Sequence, residues 1–173
     1  LKPSKVLLLD LDLRKATLSK ALDKDHRGVA AYLNGKVEDY HDHIDVISEG
    51  LSVLPVGKLP PNPAELLLSE KFQSLMDSLK KEYDYIFIDC PPIDIVADAA
   101  IVTKIVDMTV FIVRAGLLDK RSLPLIESLY HSGRYNRMAI VLNGVDIESR
   151  RYGNYGYGYG YGYGYGYGNS SEE

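Results

Sequence analysis

Five short runs of mainly apolar residues recur along the chain, each followed by polar or turn-forming residues. Runs of this length without strict polar alternation are typical of strands buried on both faces of a parallel sheet. We therefore predict strands at residues 6–9, 51–54, 85–88, 109–113 and 139–142. A weaker segment at 41–47 is expected to form an edge strand or a loop.

The segments between these runs show helical periodicity. Phe72, Leu75, Met76 and Leu79 recur at the i, i+3, i+4, i+7 spacing that gives a helix at 70–82 one apolar face. Ser69 precedes this segment and is expected to cap the helix. Further helices are predicted at 17–22, 28–33, 97–105 and 123–131, and another begins at Pro63, with Asn62 as its cap and Glu65 completing a capping box.

Strands that alternate with helices predict right-handed crossovers and a mostly parallel, doubly wound α/β sheet. Residues 1–149 are long enough for one ordinary domain with a single core. Residues 150–173 differ strongly in composition, so we expect them to form a separate C-terminal tail.

That tail alternates tyrosine and glycine without interruption from Tyr155 to Gly168. Glycine at every second position costs backbone entropy and gives a strand nothing to pack, so we expect a flexible, exposed segment. Exposed phenols on such a tail suit a kinase substrate better than a core. The expected phosphate acceptors are eight of the 14 tyrosines in the chain: Tyr152, Tyr155, Tyr157, Tyr159, Tyr161, Tyr163, Tyr165 and Tyr167.

Overall composition narrows the classes of function. The net charge of -4 argues against a nucleic-acid surface. Cys90 is the only cysteine, so no disulfide can form within the chain and a reducing compartment is expected. No apolar run reaches the roughly 18 residues of a membrane span, so none is predicted in this sequence.

Carboxylates follow two of the predicted strands. Asp10 ends the first run, Asp12 lies two residues further on, and Asp89 ends the run at 85–88. Because ligands of parallel sheets bind at the carboxyl ends of the strands, we expect these acids to gather at one edge. Their charges repel unless a cation is present, and Mg²⁺ accepts one or two carboxylates together with phosphate oxygens. The alternative is that each aspartate only caps the turn after its strand.

Other candidate residues carry weaker signals. Arg14 and Lys15 follow the first two acids and could neutralise a phosphate or pair with the carboxylates. His41 and His43 supply too few ligands for a zinc site, which usually needs three or four. Cys90 adjoins a carboxylate, which disfavours its thiolate, so we expect a small buried filler.

Together these motifs resemble those of one family. Residues 5–15, KVLLLDLDLRK, look like the Walker A′ motif of the bacterial tyrosine kinases of capsule and exopolysaccharide synthesis. Residues 86–92, IFIDCPP, resemble their Walker B motif, and residues 60–72, PPNPAELLLSEKF, are similar to a segment peculiar to that family. The tyrosine-rich tail resembles their autophosphorylated C-terminus.

The resemblance implies a P-loop NTPase-like fold that uses ATP and Mg²⁺. Asp10 would accept the proton of the incoming tyrosine hydroxyl or help organise the metal. Asp12 would hold Mg²⁺, and Asp89 would bind it directly or through water. Arg14 would contact phosphate or a subunit interface. Asn143 would lie near the adenine, although a simple turn-forming role fits its position at least as well.

The resemblance also implies partners and a place of action. The γ-phosphoryl of ATP would pass to tail tyrosines of a neighbouring subunit, which would regulate capsular or exopolysaccharide polymerisation and export. The expected partners are further copies of the chain in a ring, a membrane polysaccharide co-polymerase that acts as activator, fused or separate, and a phosphotyrosine phosphatase. No nucleic acid is expected. The soluble segment would act at the cytoplasmic face of the bacterial inner membrane.

The sequence departs from the family in one respect. It contains no G-x-x-x-x-G-K-[ST] motif, because its two Gly-Lys pairs read GKV at 35–37 and GKL at 57–59. The first strand, the phosphate-binding loop and its helix are therefore expected to be missing, leaving a truncated kinase domain that is inactive alone. Because that strand would be central in the sheet, its absence predicts two unpaired edges and an open core.

Two alternatives to a kinase remain open. An ATPase switch of the ParA and MinD type would have the same acids and no need of a tyrosine tail. A non-enzymatic interaction module would use the Gly-Tyr segment as a sticky low-complexity region, with purely structural acids.

Overall fold

A computed structural model describes residues 3–24, 27–92 and 101–145. The eight tail tyrosines lie outside these ranges, and so do the first four residues of the helix predicted at 97–105. Of that helix, residues 101–102 are helical and residues 103–105 form a turn. The predicted division between residues 1–149 and 150–173 stays a prediction.

The acids are carried by a four-stranded sheet with the order β2-β3-β1-β4. Strand β1 is paired in parallel with both β3 and β4, whereas β2 runs antiparallel to β3 at the edge. This arrangement confirms the mostly parallel sheet, and the weak segment at 41–47 contains a 3-10 turn and the start of an edge strand. The strands are β1 (Val6–Asp10), β2 (Asp45–Ser48), β3 (Leu51–Leu54) and β4 (Tyr85–Asp89).

A second sheet consists of β5 (Val110–Arg114) and β6 (Ala139–Asn143), which pair in parallel. In the described part of the chain, β4 and β5 are each the last strand of their own sheet. The absence of a central strand stays a prediction. Apolar side chains on both strands are open to solvent, with Phe87 61% and Ile112 57% exposed.

The helices lie within one or two residues of their predicted positions. Ser69 caps the longest of them as predicted, because its Oγ accepts the N–H of Phe72 at 3.2 Å. The capping box predicted at Asn62 is wrong, since the Asn62 amide donates to the Glu65 carboxylate at 2.8 Å and makes no backbone cap. No helix in the described ranges is both long enough and apolar enough to cross a bilayer. The helices are α1 (Thr17–Ala21), α2 (Val29–Leu33), α3 (Pro63–Leu67), α4 (Glu70–Glu82) and α5 (Leu123–His131).

The core lies on one face of β1. Leu7 and Leu9 are fully buried and share a cluster with Val29 of α2 and with the apolar face of α4. On the opposite face of the strand, Val6 and Leu8 are only partly buried. Burial on both faces was expected from the continuous apolar run, and it is complete on the helix-covered face alone.

Close backbone contact at Gly28 ties the segment after β3 to the start of α2. A side-chain carbon at Gly28 would lie 2.1 Å from the carbonyl oxygen of Pro55, so only glycine fits there. The N–H of Val29 donates to that same oxygen at 2.8 Å, and the N–H of Ala30 donates to the carbonyl of Val56 at 3.1 Å. These bonds hold residues 55–57 firmly beside the carboxyl ends of the strands.

Candidate active site

Two acids lie side by side where β1 and β4 end. Asp10 and Asp89 are register partners in the parallel pair, so they close neighbouring strands at the same edge. The N–H of Leu11 donates to the carbonyl oxygen of Asp89 at 2.9 Å, which continues the pairing one residue beyond β1. Asp12 follows directly. The structure therefore brings the three predicted acids together at the sheet edge where ligands of parallel α/β folds bind.

Asp10 is completely buried, and the chain itself supplies its hydrogen-bond donors. Its Oδ1 accepts the N–H of Asp12 at 3.0 Å, and its Oδ2 accepts both the N–H and the hydroxyl of Ser19, at 2.9 and 2.5 Å. Burial of a carboxylate costs free energy unless such donors replace its lost hydration. Because both oxygens are engaged, the geometry fits an organising role for Asp10 better than uptake of a proton from a substrate.

Asp12 is also buried, but only one of its oxygens is used. Its Oδ1 accepts the N–H groups of Arg14 and Lys15 at 3.3 and 3.1 Å, a turn geometry typical of aspartate. Its Oδ2 accepts no hydrogen bond from the described residues. The turn-capping and metal-binding interpretations of Asp12 are therefore compatible, because each needs one oxygen.

Asp89 is exposed and has an unfavourable electrostatic setting. Loss of hydration on its covered side raises the pKa of its carboxyl, and the negative charges of Asp10 and Asp12 raise that pKa further. No set of three or more His, Cys, Asp or Glu in the described ranges is arranged to hold a metal. Two carboxylates are nevertheless what Mg²⁺ commonly takes from a protein, with water and phosphate completing its shell. Asp12 and Asp89 could supply these two carboxylates.

The other two predicted site residues lie elsewhere. Arg14 is exposed on the turn after Asp12, where its backbone N–H contacts that carboxylate. Asn143 ends β6 in the second sheet and is exposed, and its Oδ1 accepts the N–H of Gly144 at 2.8 Å. This contact is the one expected if Asn143 forms a turn before Gly144. No described contact joins Asn143 to the acids.

Sequence reasoning missed two groups of polar residues. Ser19 contacts Asp10 across nine positions of sequence, and no local pattern marks it. His41 lies between Asp39 and Glu82, with its Nδ1 2.6 Å from Asp39 Oδ1 and its Nε2 3.1 Å from Glu82 Oε2. Tyr40 donates its hydroxyl to the same Glu82 at 2.7 Å. The clustering of ionisable residues at 38–43 was the only available signal, and the partner on α4 is long-range.

A parallel α/β sheet with acids at adjoining strand ends defines the class of P-loop NTPase-like proteins, and similar structures bear this out. The chain superposes on MinD from Pyrococcus horikoshii with a TM-score of 0.60 at 22% identity, over 82% of this chain and 58% of MinD. A likeness at that identity shows the fold. No protein-family model matches the chain.

Closer relatives define the family. The chain is 35% identical over 152 residues to the tyrosine-protein kinase CpsD of Streptococcus pneumoniae serotype 4, covering 86% of this chain and 66% of CpsD. It is 34% identical to CpsD of Streptococcus agalactiae, covering 88% of this chain and 67% of that protein. The kinase domain of Escherichia coli ETK superposes with a TM-score of 0.73 at 32% identity, over 91% of this chain and 61% of that domain. The chain thus belongs to the bacterial tyrosine kinases of capsule and exopolysaccharide synthesis, and it spans about two thirds of these relatives.

Proposed function

We propose that the chain forms the metal-binding and phosphate-accepting part of a protein-tyrosine kinase that transfers the γ-phosphoryl of ATP to tyrosines of its own tail. The observation that carries this proposal is the meeting of Asp10, Asp12 and Asp89 at one sheet edge, in a chain that carries eight closely spaced tyrosines at 152–167. A positioning switch needs the acids but not the tyrosines. A non-enzymatic interaction module needs the tyrosines but not the acids.

The acids divide the work between them. Asp12 and Asp89 would hold Mg²⁺ through the Asp12 Oδ2 and the exposed Asp89 carboxylate, while Asp10 fixes the turn that carries Asp12. Bound Mg²⁺ would neutralise charge on the transferred phosphoryl group, which is the main catalytic requirement of phosphoryl transfer. Arg14 is proposed to contact phosphate or a neighbouring subunit. A contact between Asn143 and the adenine is the least supported assignment, because its side chain is occupied by its own turn.

This stretch of sequence is proposed to be inactive by itself. The sequence has no glycine-rich loop ending in Gly-Lys-Ser or Gly-Lys-Thr, and the acids alone give ATP no backbone cradle and no lysine for its β- and γ-phosphates. Transfer therefore requires a phosphate-binding loop that this sequence does not supply.

Phosphorylation is proposed to occur between subunits of a ring at the cytoplasmic face of the inner membrane. A membrane polysaccharide co-polymerase would activate the kinase, and a phosphotyrosine phosphatase would reset it. Support for a co-polymerase partner and for assembly comes from a relative named for a cps region and from the solved chimera CapA2B2, which superposes with a TM-score of 0.74 at 31% identity. Each tail phosphate adds about 1.5 to 2 negative charges, so a fully modified tail would repel its neighbours and regulate polymer export.

The test uses the native protein, purified from cells that express it and incubated with Mg²⁺ and labelled ATP. We expect label on the tail tyrosines, located by mass spectrometry, and loss of that label in Asp12→Asn. A variant with all eight tail tyrosines replaced by phenylalanine should hydrolyse ATP but accept no phosphate. Dilution far enough to dissociate the ring should slow labelling per molecule, because transfer occurs between subunits.

The alternatives predict different results. Hydrolysis with no label on the unsubstituted tail would support the ATPase switch. Absence of any Mg²⁺-ATP binding by the native protein would support the interaction module. A labelling rate that stays unchanged after the ring has dissociated would leave the kinase assignment intact and reject transfer between subunits.

A further inference from the structure

The carboxylate of Asp10 depends on one residue of α1. Ser19 gives it two of its three hydrogen bonds, one from the backbone N–H and one from the hydroxyl, and both residues are fully buried. A hydroxyl carries a single proton. The short bond to Asp10 uses that proton, so the direction of the Ser19 hydroxyl is fixed by this contact.

The same hydroxyl is fixed from its other side. Its oxygen accepts the N–H of Val56 at 2.9 Å, and Val56 is itself fully buried in the segment that follows β3. That segment is anchored to the start of α2 by the close approach at Gly28 and by two backbone hydrogen bonds. Ser19 therefore joins a rigid part of the backbone to the buried carboxylate.

From Asp10 the hydrogen bonds continue into the acidic turn. Asp10 Oδ1 accepts the N–H of Asp12, and Asp12 Oδ1 accepts the N–H groups of Arg14 and Lys15. Each step fixes the next group, and the last oxygen in the series, Asp12 Oδ2, receives no donor from the described residues. A displacement of Asp10 would therefore move the carboxylate that is proposed to meet the metal.

We propose that Ser19 is a positioning residue of the acidic site, which holds Asp10 in place so that Asp10 can orient Asp12 toward the metal. This inference rests on the proposed function for its purpose, and on the hydrogen bonds from Val56 through Ser19 and Asp10 to Asp12 for its mechanism. Groups that support a metal ligand commonly change metal affinity by about 10- to 100-fold when they are removed.

The test compares Ser19→Ala with Ser19→Cys, whose thiol is larger than the hydroxyl and a weaker donor. The matched control is Thr17→Ala, an exposed hydroxyl on the same helix. Amide hydrogen exchange measured by NMR should speed up by about tenfold or more at Asp12, Arg14 and Lys15 in Ser19→Ala, with a smaller change in Ser19→Cys. Amides of β1 should keep their protection, which distinguishes a local effect from general loss of stability.

The second measurement is a titration with Mg²⁺ alone, followed by the amide shifts of the acidic turn and of Asp89. We expect the apparent affinity to fall by about tenfold in Ser19→Ala, to fall less in Ser19→Cys and to stay unchanged in Thr17→Ala. If Ser19→Ala does not fold, Ser19→Cys carries the test.

The outcomes separate this inference from the proposed function. Uniform acceleration of exchange, or none at the acidic turn, would overturn the positioning role. A normal Mg²⁺ response in the unsubstituted protein that survives unchanged in both Ser19 variants would overturn it as well. No Mg²⁺ response in the unsubstituted protein would instead count against the metal site of the proposed function, while the exchange data would still decide whether Ser19 orders the turn.

Discussion

The two sheets of the molecule have similar strands and very different surroundings. Strand β1 places Leu7 and Leu9 at 0% exposure under a layer of helices, whereas β5 leaves Val110 and Ile112 at 50% and 57% exposure. Both strands are short apolar runs in the sequence. The difference arises from what covers them, because β1 has sheet partners on both sides and β5 has one in the described part of the chain.

This contrast teaches where the site gains its rigidity. Asp10 closes β1, which has a sheet partner on both sides, and has both its carboxylate oxygens bonded, while Asp89 closes the edge strand β4 and stays exposed beside like charges. A covered strand can hold a carboxylate in one place. An edge strand leaves its carboxylate open to a ligand. The candidate site combines one of each.

The largest expected effect tests the contrast between the sheets. Leu9→Ala should lower the free energy of unfolding by about 3 kcal/mol, because a buried leucine is lost and a cavity remains. Ile112→Ala should cost less than about 1 kcal/mol, since most of that side chain is already in water. Urea denaturation followed by circular dichroism measures both, and the chain has no tryptophan to report by fluorescence. Equal losses would mean that the β5-β6 sheet is covered in solution.

A smaller effect tests the two acids. Asp10→Asn places an amide NH₂ group where backbone and hydroxyl donors point, so it should cost about 2 kcal/mol of unfolding free energy at neutral pH. Asp89→Asn should stabilise the protein slightly, because it removes a carboxyl whose pKa is raised by partial burial and by Asp10 and Asp12.

The sign for Asp89 follows from the direction of that shift. Because Asp89 is harder to ionise in the folded state, the folded protein loses stability as the pH rises through the raised pKa of this carboxyl. The gain in stability from Asp89→Asn should therefore be present at neutral pH and absent near pH 3. The same denaturation experiment at both pH values measures it. A loss of stability at neutral pH would show that Asp89 is held by favourable contacts.

Much of the fold could be predicted from the sequence. The apolar runs located the strands, and the periodicity of Phe72, Leu75, Met76 and Leu79 located α4, because local patterns decide where such elements form. The acids could be assigned to one edge because parallel strands share a direction. What failed was the capping box at Asn62, where the Glu65 carboxylate accepts the side-chain amide of Asn62 instead of its backbone N–H.

The candidate site was less predictable because its supporting contacts are long-range. The roles of Ser19 and Val56 depend on segments 37 residues apart meeting behind Asp10. Likewise, the apolar run predicted that β1 is buried on both faces. In the structure Leu7 and Leu9 are fully buried and Val6 and Leu8 only partly, a difference that the sequence pattern does not contain. Sequence patterns predict local structure and which positions tend to be buried, but they do not predict which polar atoms form long-range hydrogen bonds.

The smallest expected effect concerns the link between the turn before β2 and helix α4. The hydrogen bond to Asp39 raises the pKa of His41, and the carboxylate of Glu82 raises it further, while partial burial lowers it. Because the folded-state pKa exceeds the unfolded value of about 6.5, the charged ring stabilises the fold fully below that pH. The contribution is lost as the pH rises through the raised pKa.

The contribution of His41 to stability should therefore decline as the pH rises above about 6.5, and His41→Gln should remove that decline. The matched control is His131→Gln, which changes an exposed histidine at the end of α5, the helix between β5 and β6 in the chain. The effect should be small, because the His41 side chain is 52% exposed and water screens the pair. Tyr40, Asp39, His43 and Glu82 also line this turn, and the slope that remains in His41→Gln belongs to all other titrating groups of the protein. If the pH dependence of stability is unchanged in His41→Gln, or is flattened equally in His131→Gln, the contacts of His41 do not cause it.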